Sequence, residues 1–301
     1  MAYRLKADES VVDGVKRVVV EEIDKAGAML RQEGVDQATG IHEARKSFKK
    51  IRAVLRLVRP VLGSAYAREN ARFRDAGREL SELRDAEVLL QSFDQLRETF
   101  ADQMKSEAFA EIRAALEQRR MRLGAGDNRL ASNVNHVRTI LEEVRHQVAS
   151  WPLDRTGFAA IAPGLRNTYR QGRRARAAAY RSLSGEAFHD WRKRVKDHWY
   201  HIRLLQDVWP KGMKSYCGSL KDLAAILGDE HDLVVMKETV ADLNGGSDDT
   251  NAYGAYLALV DQRQRQLRDA ARPLGEWIYA EKPKCLNARL GSYWRTWRGE
   301  A

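Results

Sequence analysis

Apolar residues recur along the chain at steps of three and four, and no run alternates with the two-residue period of a strand. Ala, Leu, Arg, Glu and Lys fill most of the other positions, so periodicity and propensity together predict an all-α fold. Breakers divide the pattern. "RPVLGS" (59–64) separates an opening helix from the long stretch "AYARENARFRDAGRELSELRDAEVLLQSF", and "LGAGDN" (123–128) closes the next. "WPLDRTG" (151–157) divides the chain into halves, "WPKGMKS" (209–215) breaks the second half, and "LNGGSDDTN" (243–251) is the plainest loop. This reading gives four main helices per half. Short connections between long amphipathic helices predict antiparallel neighbours, hence two four-helix bundles.

The halves resemble one another. "HEARKSFKKIRAVLR" begins at His42 and "HDWRKRVKDHWYHIR" at His189, an offset of 147 residues. The same offset superimposes Arg45 on Arg192, Lys46 on Lys193, Lys49 on Lys196 and Arg56 on Arg203, and further on Asp85 on Asp232. Helical composition alone does not reproduce polar identities without a gap. One domain, 1–301, is therefore expected to contain two copies of one unit, 1–150 and 151–301, related by a pseudo-twofold axis.

At about 100° per residue, His42, Arg45, Lys46, Lys49 and Arg56 fall within one stripe of a helix. Ile41, Ala44, Phe48, Ile51, Leu55 and Val58 take the opposite side. The second copy repeats this, with Trp191, Val195, Ile202 and Leu205 on its apolar side. Each basic stripe thus points away from its own core, and a pseudo-twofold axis would aim both into one shared groove. A run of Lys and Arg is ordinarily a solvated face. A solvated face, however, tolerates Lys, Glu, Gln or Ser interchangeably, whereas these copies share His, Arg, Lys and Lys. Glu43, Asp190 and Asp197 lie only on the flank of the stripes, which leaves the cations uncompensated unless an anion joins them. Lys50 becomes Asp197 and Arg52 becomes Trp199 in the second copy, so the groove should be more basic on the amino-terminal side.

Composition narrows the partner. Of 301 residues 44% are hydrophobic and 31% charged, and the net charge of +10 favours a polyanion. No run approaches ~18 consecutive apolar residues, so no membrane partner is expected. "MAYRLKADES" lacks the apolar core of a signal peptide, and two cysteines, Cys217 and Cys285, have no metal-type spacing. A cytoplasmic protein with reduced thiols and no cofactor is the expectation.

The repeated H-x-x-R-K-x-x-K with a later Arg, in an all-helical chain of this length, resembles the CHAD domain (conserved histidine α-helical domain). "YRLKADESVVDGVKR", "ELRDAEVLL", "TYRQGRRA", "LGDEHDL" and "YAEKPK" extend the resemblance along the chain. It implies two four-helix bundles around a basic central cavity, binding of inorganic polyphosphate, and association of some members with polyphosphate granules. Some relatives carry an added triphosphate-processing domain, for which this chain has no room. The resemblance also brings in "LRNTYRQGRRARAAAYR" (165–181), where Arg166, Tyr169, Arg170 and Arg173 are candidates for the cavity wall. The candidate polyphosphate-binding set is therefore His42, Arg45, Lys46, Lys49, Arg52, Arg56, Arg166, Tyr169, Arg170, Arg173, His189, Arg192, Lys193, Lys196 and Arg203.

Polyphosphate is a linear polyanion with about one charge per phosphate and no bases. Arginine forks and mobile lysine charges at i, i+3, i+4 and i+7 make a ladder suited to it, and free phosphate or sulfate would fit the same groove. His42 and His189 should be largely neutral among cations, and either donate to phosphate or brace the helix start. Two other readings are weaker. An enzyme acting on phosphoanhydrides needs a metal-binding carboxylate cluster or an activated nucleophile, and the repeats offer neither. A nucleic-acid-binding protein would stack bases on aromatic rings, but most of the seven Trp and ten Tyr read as core or end anchors.

Overall fold

The structure, a computed structural model, describes residues 3–31, 37–124, 128–243 and 250–300, and every regular element among them is helical. The helices are α1 (Val11–Arg31), α2 (Gln37–Leu57), the single turn α3 (Arg59–Leu62), α4 (Ala65–Glu79), α5 (Glu82–Thr99), α6 (Glu107–Gly124) and α7 (Asn128–Gln147). After a stretch with two short 3-10 turns follow α8 (Ala162–Ser182), α9 (Gly185–Leu204), α10 (Pro210–Leu243), α11 (Thr250–Ile278) and α12 (Pro283–Arg298). The expected loops at 123–128 and 243–251 lie largely outside the described residues.

Five helix positions per half, rather than four, match at the offset of 147. In chain order α1 matches α8, α2 matches α9, α6 matches α11 and α7 matches α12, while α4 and α5 together match α10. The stretch 65–93 was expected to be one helix, and the break at Leu80–Ser81 is supplied from outside it. Arg45 Nη1 donates to the Ser81 carbonyl (3.2 Å) and Asn133 Nδ2 donates to the Glu79 carbonyl (3.1 Å). The Glu79 carbonyl thus finds a donor on α7, and the Ser81 carbonyl, which already accepts the Asp85 N–H (2.9 Å), takes a second donor from α2. In the second half, α10 starts at Pro210 and continues through 211–215, so "WPKGMKS" marks a helix start and not an interruption.

The apolar faces predicted for α2 and α9 are buried, Ile41, Phe48 and Leu55 on one and Trp191, Val195 and Ile202 on the other. Each such side chain removed from water contributes on the order of 1.5–3 kcal/mol. The cores do not follow the halves. The larger joins α1, α2, α4, α7, α8, α9, α12 and the first part of α10. The smaller is built by α5 and α6 (Leu89, Phe93, Leu96, Leu116) against the end of α10 and α11 (Leu233, Met236, Tyr256, Val260).

Where α2 crosses α9, packing is locked by polar contacts. His201 Nε2–H donates to the Ala53 carbonyl (2.8 Å), and burial holds the imidazole neutral with a pKa near 4. Gly164 of α8 lies so close to α2 that an added Cβ would sit 1.8 Å from the Leu57 carbonyl oxygen. These approaches set the angle at which α2 and α9 present their outer faces.

Candidate functional site

Those outer faces meet. A cavity of about 500 Å³ opens between α2, α5, α9 and α10, lined by His42, Arg45, Lys49, Arg84 and Asp85 from the first half and by Arg192, Lys196, His231 and Asp232 from the second. Val88, Leu89 and Val235 complete the wall. Five lining pairs stand at the offset of 147: Arg45 with Arg192, Lys49 with Lys196, Arg84 with His231, Asp85 with Asp232, and Val88 with Val235.

Five cations share this volume with two carboxylates, and one of the five, Arg84, is also paired with Glu87 (3.1 Å) beside the cavity. Arg45 Nη1 lies 3.2 Å from Asp85 Oδ1. Arg192 has no such pairing; its Nε is buried and unpartnered among the described residues. Burial first, then the charges of Arg45 and Arg192, lower the Lys49 pKa to about 8, although its side chain keeps access to water through the cavity mouth. Burial, then Arg192 and Lys49, lower Lys196 further, to about 7. Burial raises Asp232 above the usual carboxylate range, against the pull of Arg192, Lys196 and Lys49. The site therefore holds more positive charge than its own carboxylates neutralise, and its lysines sit at the edge of losing their protons.

The histidines behave as neutral groups. Burial and the charges of Arg84 and Lys46 lower His42. His189 and His231 lie ring against ring, centroids 3.9 Å apart, each with a buried, unpartnered Nδ1. Burial, then His189 and Arg192, bring His231 to about 3, and burial, then Lys193 and Arg192, lower His189. His189 thus backs the wall through His231 instead of forming it. Among the described residues no group of three or more His, Cys, Asp or Glu is placed to hold a metal ion.

The rest of the expected stripe is dispersed. Lys46 pairs with Glu43 (2.5 Å) and Lys193 with Asp190, so the flanking carboxylates do compensate these two at the rim. Asp197 likewise takes Arg56 (3.0 Å) and Arg194 (3.7 Å). Arg52 donates to Asn70 Oδ1 (3.2 Å), and Arg203 lies over the rings of Trp199 and Tyr3. A helix stripe about 100° wide is broader than the strip that one neighbouring cavity reaches, and flank carboxylates at i−3 swing onto its edge. Lys50, too, is no groove cation: it is buried against Glu22 (2.7 Å). Arg84 stands where the other half has His231, but Glu87 pairs with it (3.1 Å), so the expected bias of the groove towards the amino-terminal side does not follow from the lining.

None of the α8 candidates lines the cavity. Tyr169 is wholly buried, and its hydroxyl donates to the Ile278 carbonyl (3.0 Å). Arg166 and Arg170 are exposed and Arg173 half-buried, on the outer side of α8.

The CHAD domain model matches residues 21–241, well over half of the chain. The chain belongs to the CHAD domain family. The crystal structure of the CHAD domain from the plant Ricinus communis superposes with a TM-score of 0.61 at 19% identity, covering 92% of this chain and 95% of that one, which establishes a shared CHAD fold. An uncharacterized protein, Rv2226, of Mycobacterium tuberculosis (strain ATCC 25618 / H37Rv) is 25% identical over 285 residues. The match covers 88% of this chain, which spans about half the length of that relative (54%). No helix among the described residues is long and apolar enough to cross a membrane.

Two cavity residues of this CHAD domain went unread in the sequence, Arg84 and His231. They occupy the same position of the two copies, one residue before the repeated aspartates, but they differ in type, so a search for identity between the halves passes over them.

Proposed function

We propose that the cavity binds inorganic polyphosphate without catalysing its breakdown. The observation that carries this reading is the surplus of cations from both halves around one space, with Arg192 Nε buried and unpaired. An anion with dense, regular charge relieves that surplus: guanidinium forks of Arg45, Arg84 and Arg192 take phosphate oxygens in pairs, and Lys49 and Lys196 follow as point charges. Among the described lining residues there is no Trp, Tyr or Phe, and Val88, Leu89 and Val235 fill the wall, which suits a ligand without bases. Among the described lining residues there is no Ser, Thr or Cys to act as nucleophile. The five pairs at one offset support two related units, 1–150 and 151–301, arranged about a pseudo-twofold axis that passes through the cavity. Residence on polyphosphate granules in the cytoplasm follows from the ligand.

The test is titration with polyphosphates of graded length at two salt concentrations. Affinity should rise with length until the cavity is filled and fall steeply with salt, because each phosphate neutralised releases counterions. Duplex or single-stranded nucleic acid that displaced polyphosphate from the cavity at equal phosphate concentration would overturn the assignment, and so would release of phosphate during the titration.

A further inference from the structure

The outer side of α8 is strongly one-sided in charge. Its 21 residues contain six arginines and no Asp or Glu. Arg176 turns inward to Glu276 (3.5 Å). Arg166, Arg170, Arg174 and Arg181 are exposed, Arg173 is half-buried, and among the described residues none of these five has a carboxylate partner; Arg170 bonds only Asn167 of its own helix. Arg74 is matched by Asp75, Arg113 by Asp94 and Arg145 by Asp24, whereas the exposed Arg119, Arg265 and Arg295, like the α8 row, have no carboxylate partner among the described residues. Arg166, Arg170, Arg174 and Arg181 run along one face for about 22 Å, taking 1.5 Å per residue. Like charges at i and i+4 oppose the helix, so the row is kept at a cost.

Trp277, near the end of α11, is 82% exposed. The end of α11 that carries it is held to α8 on both sides: Glu276 by Arg176, and the Ile278 carbonyl by the Tyr169 hydroxyl. Most of the Trp and Tyr rings are buried or partly buried, as expected, and Trp277 is an exception. Arg272, over the Tyr180 ring at 4.3 Å, is an exposed cation on the same helix, and the exposed Glu276 precedes the tryptophan.

We infer that this face, α8 together with Trp277, binds single-stranded nucleic acid at a site separate from the cavity. Three polyanions could meet the arginine row. A bare polyphosphate uses the arginines and gains nothing from an exposed indole. An anionic membrane needs apolar area to insert, whereas apart from Leu183 at the end of α8 the exposed residues between the arginines are small, such as Ala177 and Ala178. A single strand uses both features, its phosphates along the arginines and a base stacked on Trp277, with little regard to sequence.

Fluorescence anisotropy with labelled oligouridylate and oligothymidylate of about 20 nucleotides, enough to pass the full row, tests this on the full chain. Trp277→Ala should weaken oligonucleotide binding roughly tenfold and Trp277→Phe much less, since stacking is retained. Arg174→Glu with Arg181→Glu should lower the salt slope by about 1–2. Both variants should bind polyphosphate like the parent, while Lys49→Glu with Lys196→Glu should lose polyphosphate and keep the oligonucleotide, so the two readings fail separately. Absence of oligonucleotide binding overturns the inference, as does an unchanged affinity in Trp277→Ala. Loss of polyphosphate binding in the Arg174/Arg181 variant would assign the row to polyphosphate, and capture by phosphatidylserine vesicles without oligonucleotide binding would assign it to a membrane.

Discussion

Lys49 and Lys196 are where ligand chemistry and folding oppose each other. Their pKa values of about 8 and 7, against 10.5 in the absence of such surroundings, mean that the unfolded chain binds more protons than the folded one above pH 7. The stability of the unliganded protein should therefore rise with pH from about 7 towards 10. Polyphosphate acts with the opposite sign. It favours the charged ammonium groups, so binding takes up protons and weakens as pH climbs from about 7 to 9. Calorimetry in two buffers of different ionisation enthalpy reads that uptake directly, and no difference between buffers at pH 8 would refute it. Lys196→Arg, permanently charged, should flatten the pH dependence. Charge reversal at Lys49 and Lys196 together should cost on the order of a hundredfold in affinity, taking two charge-assisted contacts of about 1.5 kcal/mol each. The same change at Lys46 and Lys193 removes only cations already paired at the rim, and should cost a few-fold at most on the scale of exposed pairs. At this scale the sequence was legible for His42, Arg45, Lys49, Arg192 and Lys196, because identity at one offset marks them. Lys46 and Lys193 share that identity and yet belong to Glu43 and Asp190, carboxylates that stand at the same offset, so the repeat carried their neutralising partners too.

Among the elements, α2 and α9 were the most readable, since their apolar and basic faces are separated by the helical period itself. The break between α4 and α5 was not. Its carbonyls accept from Arg45 and Asn133, 36 and 54 residues away from Ser81 and Glu79, and only the folded arrangement brings those donors near. The closest approach between helices depends on Gly164. Gly164→Ala places a methyl within 1.8 Å of the Leu57 oxygen and must push α8 away from α2, with a loss of about 1–3 kcal/mol or more. Urea unfolding measures this, and an unchanged midpoint would show that the two helices separate freely. Because α2 carries Arg45 and Lys49, the same variant should also weaken polyphosphate binding beyond what the lost stability explains.

For the whole molecule, two cores drawn from both halves hold the cavity between them. Periodicity announced the helices and the repeat, but suggested one bundle per half, because it records which face is apolar and not which partner covers it. Phe93 meets Tyr256, and Leu5 donates its N–H to the carbonyl of Leu204 (3.0 Å), across distances in sequence that local pattern does not span.

This exchange of partners bears on how the chain can be divided. Cut within 151–157, it becomes two fragments, neither with a finished interior. Each should be unstructured or self-associating by itself, and mixing them should restore helical dichroism and polyphosphate capture together.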